Sequence, residues 1–301
     1  MNDLDLEKDR SVVRFVSYNT QFCTGLDGRT DLDRIASEIA GADVMALQEI
    51  DRFWARTGHV DQVDGIVERF PDYYWAYGPG LDVDASYRDE GGRLVNRRRQ
   101  FGNMVLARWP ILMVRNHLLP KLHLRSPLSL QRSALETVID LPDGSCRVVS
   151  VHLAHAASSE RLVQIERLLQ ILKAAPGDGG AWSGTEYDGF WNQEGLPHPQ
   201  PYRTIVMGDF NCEPDSKEYE LLCGPVDPTF GPLSTCDGLT DAWLAQGNGI
   251  SNGATHGFNT CPRRLDYTFM TNELIDNLNS IWVDQDAVGS DHKPVWTEVE
   301  I

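Results

Sequence analysis

The sequence predicts an α+β fold, with two packed β-sheets flanked by helices in one domain. Short β-branched and aromatic runs outnumber amphipathic helical stretches, hairpin signatures mix with strand–helix–strand units, and no internal repeat or low-complexity tract divides the 301 residues. A chain of this length buries about three quarters of its unfolded surface in a single core.

The elements follow in order. Residues 12–19 (VVRFVSYN) form a β-branched, aromatic strand that ends on the polar Asn19. Thr30 precedes Asp31, Leu32 and Asp33 as an acidic helix start; Leu32, Ile35, Ala36 and Ile39 fall at helical spacing, and Gly41 closes the helix. Residues 43–49 (DVMALQE) return as a buried strand with Glu49 at its end. Residues 102–107 (GNMVLA) read as a strand stopped by Trp109 and Pro110, and residues 135–141 and 147–153 flank Pro142-Asp143-Gly144 as a hairpin. Ser158 and Ser159 are expected to cap a helix whose apolar face is Leu162, Ile165, Leu169 and Leu172. Residues 204–207 run as a buried strand into Gly208-Asp209-Phe210-Asn211, and residues 265–270 and 295–299 complete the strands. Residues 1–10 read as a polar tail and 11–301 as one domain. Long loops are expected at 78–100 and at 175–201, the latter rich in Gly, Pro and aromatics (Trp182, Tyr187, Phe190, Trp191).

Hydrophobic residues make up 41% and charged residues 24%, an ordinary globular balance. The net charge of −17 speaks against a protein that coats nucleic acid non-specifically, because such binding depends on Lys and Arg replacing the counterions of phosphates. A local basic cleft or a bound metal remains compatible with it. The N-terminal MNDLDLEKDR has no apolar stretch of signal-peptide type, and no run approaches the ~18 apolar residues of a membrane span. Six cysteines (Cys23, Cys146, Cys212, Cys223, Cys236, Cys261) are scattered without a CxxC pair, so reduced thiols in a cytoplasmic protein are expected.

Polar residues recur where apolar strands end: Asn19, Glu49, His152, Asp209 with Asn211, Asp266, and Asp291 with His292. If those strands share sheets, their ends converge on one rim. Close carboxylates repel one another, so such a pocket is stable only with a cation or shared protons. Oxygen-rich ligation selects Mg²⁺ or Mn²⁺ over zinc. Taken singly, a strand-end Asn is usually a turn residue and a strand-end carboxylate usually faces solvent. As an ordered set they point to a metal-dependent site.

In order, the segments SYNTQF, ALQEID, GNMVLA, SVHLAH, GDFN, LTDAW, RRLDYTF and GSDHKP resemble the motifs of the endonuclease/exonuclease/phosphatase superfamily, over residues 14–301. The resemblance implies a four-layer α/β sandwich and hydrolysis of a phosphate ester with a divalent metal. It implies that Glu49 binds the metal, with Asn19 and Asp291 nearby, and that Asp209 orients or deprotonates the attacking water. Asn211 would hold the scissile phosphate, which His152 and His292 would face, with Asp266 keeping His292 charged. Asp241 is expected either to brace the site from the interior or to act directly. Arg132, at the opening of a strand, offers a bidentate grip on phosphate. The run Arg97, Arg98 and Arg99 reads either as a solvated basic patch or, beside Gly102 and Asn103, as a further hold on substrate. His117, His123, His198 and His256 carry no motif and default to structural or surface roles.

The resulting expectation is a Mg²⁺- or Mn²⁺-dependent phosphodiesterase acting on a small phosphodiester or nucleic acid, with no obligate protein partner. A structure-specific or abasic-site DNA endonuclease/exonuclease is the alternative. A catalytically inactive binding protein of the same fold is a second alternative, against which the presence of Glu49, Asp209 and His292 argues. Specificity in this fold resides in loops.

Overall fold

A computed structural model describes residues 12–301 except 127, 183, 185–189, 191–199, 228, 234, 236, 237 and 259. The expected tail, most of the segment 175–201 (with Tyr187, Trp191 and His198) and Cys236 lie outside the described residues.

The strands of the first half are β1 (Val12–Asn19), β2 (Val44–Arg52), β3 (Tyr74–Asp84), β4 (Tyr87–Arg88), β5 (Leu94–Val95), β6 (Arg98–Ala107), β7 (Ile111–Leu118), β8 (Ser133–Leu141) and β9 (Gly144–His152). Those of the second half are β10 (Thr204–Asp209), β11 (Val226–Asp227), β12 (Gly231–Pro232), β13 (Leu239–Asp241), β14 (Asp266–Thr271), β15 (Leu278–Val283) and β16 (Val295–Glu300). The helices are α1 (Leu32–Glu38), α2 (Gln62–Arg69), α3 (Ser158–Asp178), α4 (Lys217–Cys223), α5 (Ala242–Ala245) and α6 (Asn272–Ile275).

One six-stranded sheet has the order β15-β16-β1-β2-β6-β3 and the other β13-β14-β10-β9-β8-β7. Strand alternation sends Val13, Phe15, Val44, Ala46 and Val105 of the first sheet against Leu135, Ile139, Val148, Ile205 and Met207 of the second, forming the intersheet core. The opposite face of the first sheet (Val16, Met45, Leu47, Met104, Leu106) packs with Ile35, Val63 and Ile66 of α1 and α2. Val149, Val151 and Val206 pack with Ile165 and Leu168 of α3 and Tyr219 and Leu222 of α4. Each fully buried aliphatic side chain contributes about 1.5–3 kcal/mol relative to exposure, and these three clusters hold the layers together. The architecture is helix, sheet, sheet, helix, the four-layer α+β sandwich expected.

Each sheet has one parallel pair near its centre, β1 with β2 and β9 with β10. Parallel neighbours end on the same side. Asn19 therefore lies level with Gln48, and Asp209 lies between His152 on β9 and Asp266 on β14. Between the sheets, Gln48 Nε2 donates to Ser150 Oγ at 3.0 Å, so the two strand-end rims are tied to each other.

Several elements differ from expectation. The segment 78–100, expected as a loop, is strand at both ends. There β3 pairs with β6 from Leu81–Phe101 to Asp84–Arg98, and β4 and β5 form a small hairpin at the tip. Gly78, Pro79 and Gly80 hide β3 in the sequence; an edge strand tolerates proline because one row of its amides needs no partner. Arg115, Asn116 and His117 likewise mask β7, the edge of the other sheet. Helix α1 is capped by Asp31 rather than Thr30, its side chain accepting from the Arg34 amide at 3.0 Å, and it ends at Glu38, ahead of Gly41; Leu141 and Gly144 close the expected hairpin. Ser158 and Ser159 do not cap α3; the N-cap is Ala157, without a side-chain bond. The buried stripe of α3 is Glu160, Gln164, Ile165, Leu168, Ile171 and Ala175; of the expected face Ile165 lies within it and Leu169 and Leu172 pack at its border, while Leu162 is only partly buried. Gln164 is polar yet buried there because it accepts from the Ala154 amide at 2.9 Å and donates to the Pro120 carbonyl at 3.0 Å.

Candidate active site

Two backbone features deliver carboxylates to the shared rim. In β2 the alternation of Met45 and Leu47 would send residue 49 beneath the helices. A bulge between Leu47 and Ile50, opposite β6, turns Glu49 the other way. Glu49 takes φ 62°, a left-handed conformation that costs a non-glycine residue about 1–2 kcal/mol. In β10, Gly208 has φ 149°, and a Cβ there would collide with the Val151 carbonyl oxygen. Only glycine lets β10 lie against β9 and present Asp209.

Asp209 is buried and held from several sides. Its Oδ2 accepts from Asn19 Nδ2 at 2.9 Å and from Asn211 Nδ2 at 3.2 Å, while Oδ1 accepts from the Asn211 amide at 2.9 Å. Burial raises its pKa to about 6, against the pull of nearby His292. Asn211, at φ 51°, also donates to the Leu153 carbonyl at 3.2 Å, so both hydrogens of its side-chain amide are engaged.

Three imidazoles face the same space in different protonation states. His152 Nδ1 lies 3.1 Å from Arg132 Nη1, and His155 Nδ1 lies 3.2 Å from Arg132 Nη2. A guanidinium only donates, so each Nδ1 is an acceptor and each ring carries its proton on Nε2. Burial and the Arg132 charge hold His152 well below the ordinary imidazole range, hence neutral. Its Nε2 lies 3.4 Å from Asp209 and 3.9 Å from Glu49. His292 is the opposite case. Burial would lower its pKa, but the Asp266 carboxylate at 2.7 Å from Nδ1, helped by Asp209, outweighs this and lifts it to about 10. Its Nε2 lies 3.8 Å from Asp209. Ser290 fixes the loop by donating to the Asn19 carbonyl at 2.7 Å and accepting from the His292 amide at 3.1 Å.

Glu49 lacks such support. Burial raises its pKa to about 7, and among the described residues no side chain or amide donates to its carboxylate. A half-buried carboxylate without a donor, opening on a cavity, is the chemistry a hard cation satisfies. Asn19 and Asp291 line the cavity beside it. Donor atoms also converge within 4.8 Å in two groups, His256 with Asp291 and His292, and Asp209 with Asp266 and His292.

The whole constellation opens into one cavity of about 840 Å³, lined by Asn19, Glu49, Arg132, His152, Asp209, Asn211, Asp291 and His292 among others. Six further residues that the sequence singles out do not line it. Asn103 lies between the sheets and donates to the Ser133 and Ser150 carbonyls at 2.9 and 3.1 Å. Arg98 and Arg99, at the start of β6, and Arg97, just before it, stand outside the cavity. Asp266 reaches the cavity through His292. Asp241 is buried behind the site, accepting from Tyr219 Oη at 2.8 Å and Arg264 Nη1 at 2.7 Å.

His256, given a structural or surface role by the sequence, lies in the cavity wall instead. Its Nε2 is 3.6 Å from Asp291, its ring centroid is 4.6 Å from that of His292, and its backbone bridges to His292. Nothing in its local sequence marks it; only the long-range bridge brings it in. Arg56 and Arg161 line the cavity too and belong to no motif, and Arg263 lines it at the head of the RRLDYTF segment.

Carboxylates, neutral and charged imidazoles and a buried guanidinium around one cavity are the parts of a phosphoester hydrolase. The chain belongs to the Endonuclease/Exonuclease/phosphatase family, whose model matches residues 16–292. Solved structures with this fold include an endonuclease/exonuclease/phosphatase from Beutenbergia cavernae, 21% identical with TM-score 0.65, where the match covers 97% of this chain and 72% of that one. A mannosyl-6-phosphatase from Bacteroides thetaiotaomicron is 16% identical with TM-score 0.60, covering 95% and 99%. The human Nocturnin catalytic domain with bound sulfate is 17% identical with TM-score 0.57, covering 96% of each. No curated protein matches the sequence. Among the described residues no helix is long and apolar enough to cross a membrane.

Proposed function

We propose that the chain is a Mg²⁺- or Mn²⁺-dependent phosphodiesterase that uses Asp209 to activate water. The observation that carries this reading is the meeting of Glu49, Asp209 and the Asp266–His292 pair, from four strands or loops of two sheets, around one cavity. Glu49, with Asn19 and Asp291, would hold the cation, which when bound polarises a phosphoryl oxygen and eases charge on the leaving oxygen. Asp209 accepts the proton of the attacking water; a pKa of about 6 keeps it ionised at neutral pH yet basic enough for the task. Asn19 and Asn211 orient that carboxylate. His292 offers a cationic Nε2–H and His152 a neutral one to the charge that develops on phosphorus oxygens. Arg132 sets the tautomers of His152 and His155.

The cavity favours a diester because, at about 840 Å³, its wall runs beyond this cluster to Phe22, Arg56, Phe101, His155, Arg161 and Ser216. Two ester groups have room where a terminal phosphate needs one. Among the described residues Cys23, Cys146, Cys212, Cys223 and Cys261 are free thiols. Hydrolysis of bis-p-nitrophenyl phosphate and p-nitrophenyl phosphate, with and without EDTA, tests the reading. EDTA-reversible turnover with the diester ahead is expected; a faster monoester, or turnover indifferent to EDTA, would contradict it.

A further inference from the structure

We propose that a strip of aromatic and guanidinium side chains leaving the cavity along β6 binds a single-stranded oligonucleotide beyond the cleaved phosphate. This rests on the phosphodiesterase reading and adds the class of substrate. Phe101 and Arg99 are alternate residues of β6 and share a face, and Arg97 stands one residue before the strand, its carbonyl accepting from the Ala85 amide at 2.9 Å. The shared face carries Val105 and Ala107 into the intersheet core, then continues past it to Phe101 in the cavity wall and on to Arg99.

Residues after β2 interleave with them. The Arg56 guanidinium carbon lies 3.7 Å from the ring centroid of Phe22, 4.9 Å from that of Trp54 and 5.3 Å from that of Phe101. Arg99 lies 5.5 Å from Trp54, and Arg97 sits between Phe53 at 4.9 Å and Tyr87 at 4.7 Å. Cations and rings thus form two neighbouring groups, Phe22, Arg56, Trp54, Phe101 and Arg99 at the cavity and Phe53, Arg97 and Tyr87 beyond it, joined where Arg99 Nε donates to the Phe53 carbonyl. Tyr87 is exposed, and Phe53 and Trp54 are half-buried.

The charges on this strip differ in their compensation. Arg56 is neutralised by the buried Asp51 at 2.7 Å, and Arg98, on the opposite face of β6, pairs with Asp82 at 2.7 Å. Among the described residues neither Arg97 nor Arg99 has a carboxylate partner; Arg99 Nε donates to the Phe53 carbonyl at 3.1 Å. In a chain of net charge −17, two uncompensated cations side by side mark a place for anions. The rings between them mark a place for planar groups. Phosphates joined to bases combine both, since single strands bind by backbone attraction and by base stacking on aromatic side chains.

The test is fluorescence anisotropy of a short fluorescein-labelled oligothymidylate with the full chain in EDTA, which separates binding from turnover. Trp54→Ala should weaken binding at least about fivefold. Arg97→Gln with Arg99→Gln should weaken it and lower the slope of log Kd against log salt by about 1.4. Both variants should keep kcat/KM for bis-p-nitrophenyl phosphate within twofold, which also reports that they fold. Undiminished affinity in both variants, or equal competition by inorganic polyphosphate of matched charge, would overturn the proposal. A protein that hydrolyses the small diester but does not bind the oligomer would overturn the track alone. One that binds the oligomer but cleaves no diester with Mg²⁺ or Mn²⁺ would overturn the hydrolase reading and keep the track as a binding site.

Discussion

At the scale of single residues, the site works by giving similar groups different surroundings. Asp209 and Glu49 are both raised by burial, but Asp209 accepts three hydrogen bonds while Glu49 accepts none among the described residues. The first is arranged as a base, the second as a cation ligand. Asp209→Asn keeps the shape and removes the base, so kcat on bis-p-nitrophenyl phosphate should fall by about 10²–10⁴-fold with the unfolding midpoint little changed. Near wild-type turnover would remove Asp209 from the chemistry. The imidazoles differ for the same kind of reason: His152 beside Arg132 is neutral, and His292 beside Asp266 is cationic. Asp266→Asn takes away the charge that outweighs burial, so the His292 pKa should drop from about 10 towards or below the free imidazole value. An NMR titration of the ring in metal-free protein reads this directly, and an unmoved His292 would show that Asp266 is not its electrostatic support. These residue types were legible at strand ends, whereas their protonation states depend on neighbours far away in the chain. His256 shows the limit: its place beside Asp291 follows from a backbone bridge to His292 and from no local pattern.

At the scale of elements, strand ends were easier to recognise than strand edges. The apolar runs of β1, β2, β9 and β10 announce themselves because both faces are buried, and a polar residue closes each of them. β3 and β7 are edge strands, free to carry Pro79 or Arg115 and His117, and they lose the alternation that would reveal them. The bulge at Glu49 is likewise hidden, because ALQE reads as unbroken strand. It stores strain that glycine would relieve. Glu49→Gly should therefore stabilise the metal-free protein by up to about 1 kcal/mol in urea unfolding while abolishing metal-dependent turnover. A destabilised variant would mean that the left-handed turn is not under strain. Gly208 is constrained in the other direction. Gly208→Ala forces a Cβ against the Val151 carbonyl at an unfavourable φ, and a loss of about 3 kcal/mol or failure to fold is expected. A loss under 1 kcal/mol would show that β9 and β10 can part without cost.

At the scale of the whole molecule, two sheets meet so that their parallel pairs end on one rim, and this convergence turns scattered motifs into a site. The sequence order of LQE, GDFN, RLDY and SDH made the family recognisable, yet the distances between those side chains exist only once the sheets pack. The overall charge of −17 leaves anion attraction to local features, to a bound cation within the cavity and to uncompensated arginines outside it. The most direct measurement is hydrolysis of bis-p-nitrophenyl phosphate by metal-stripped protein, wild type beside Glu49→Gln, as Mn²⁺ or Mg²⁺ is added back. Turnover should return with saturation in the wild type and stay at least about a hundredfold lower in Glu49→Gln at the same metal concentration. Equal recovery in both proteins, or none in the wild type, would mean that Glu49, Asp209 and His292 do not form a cation-dependent phosphoesterase centre.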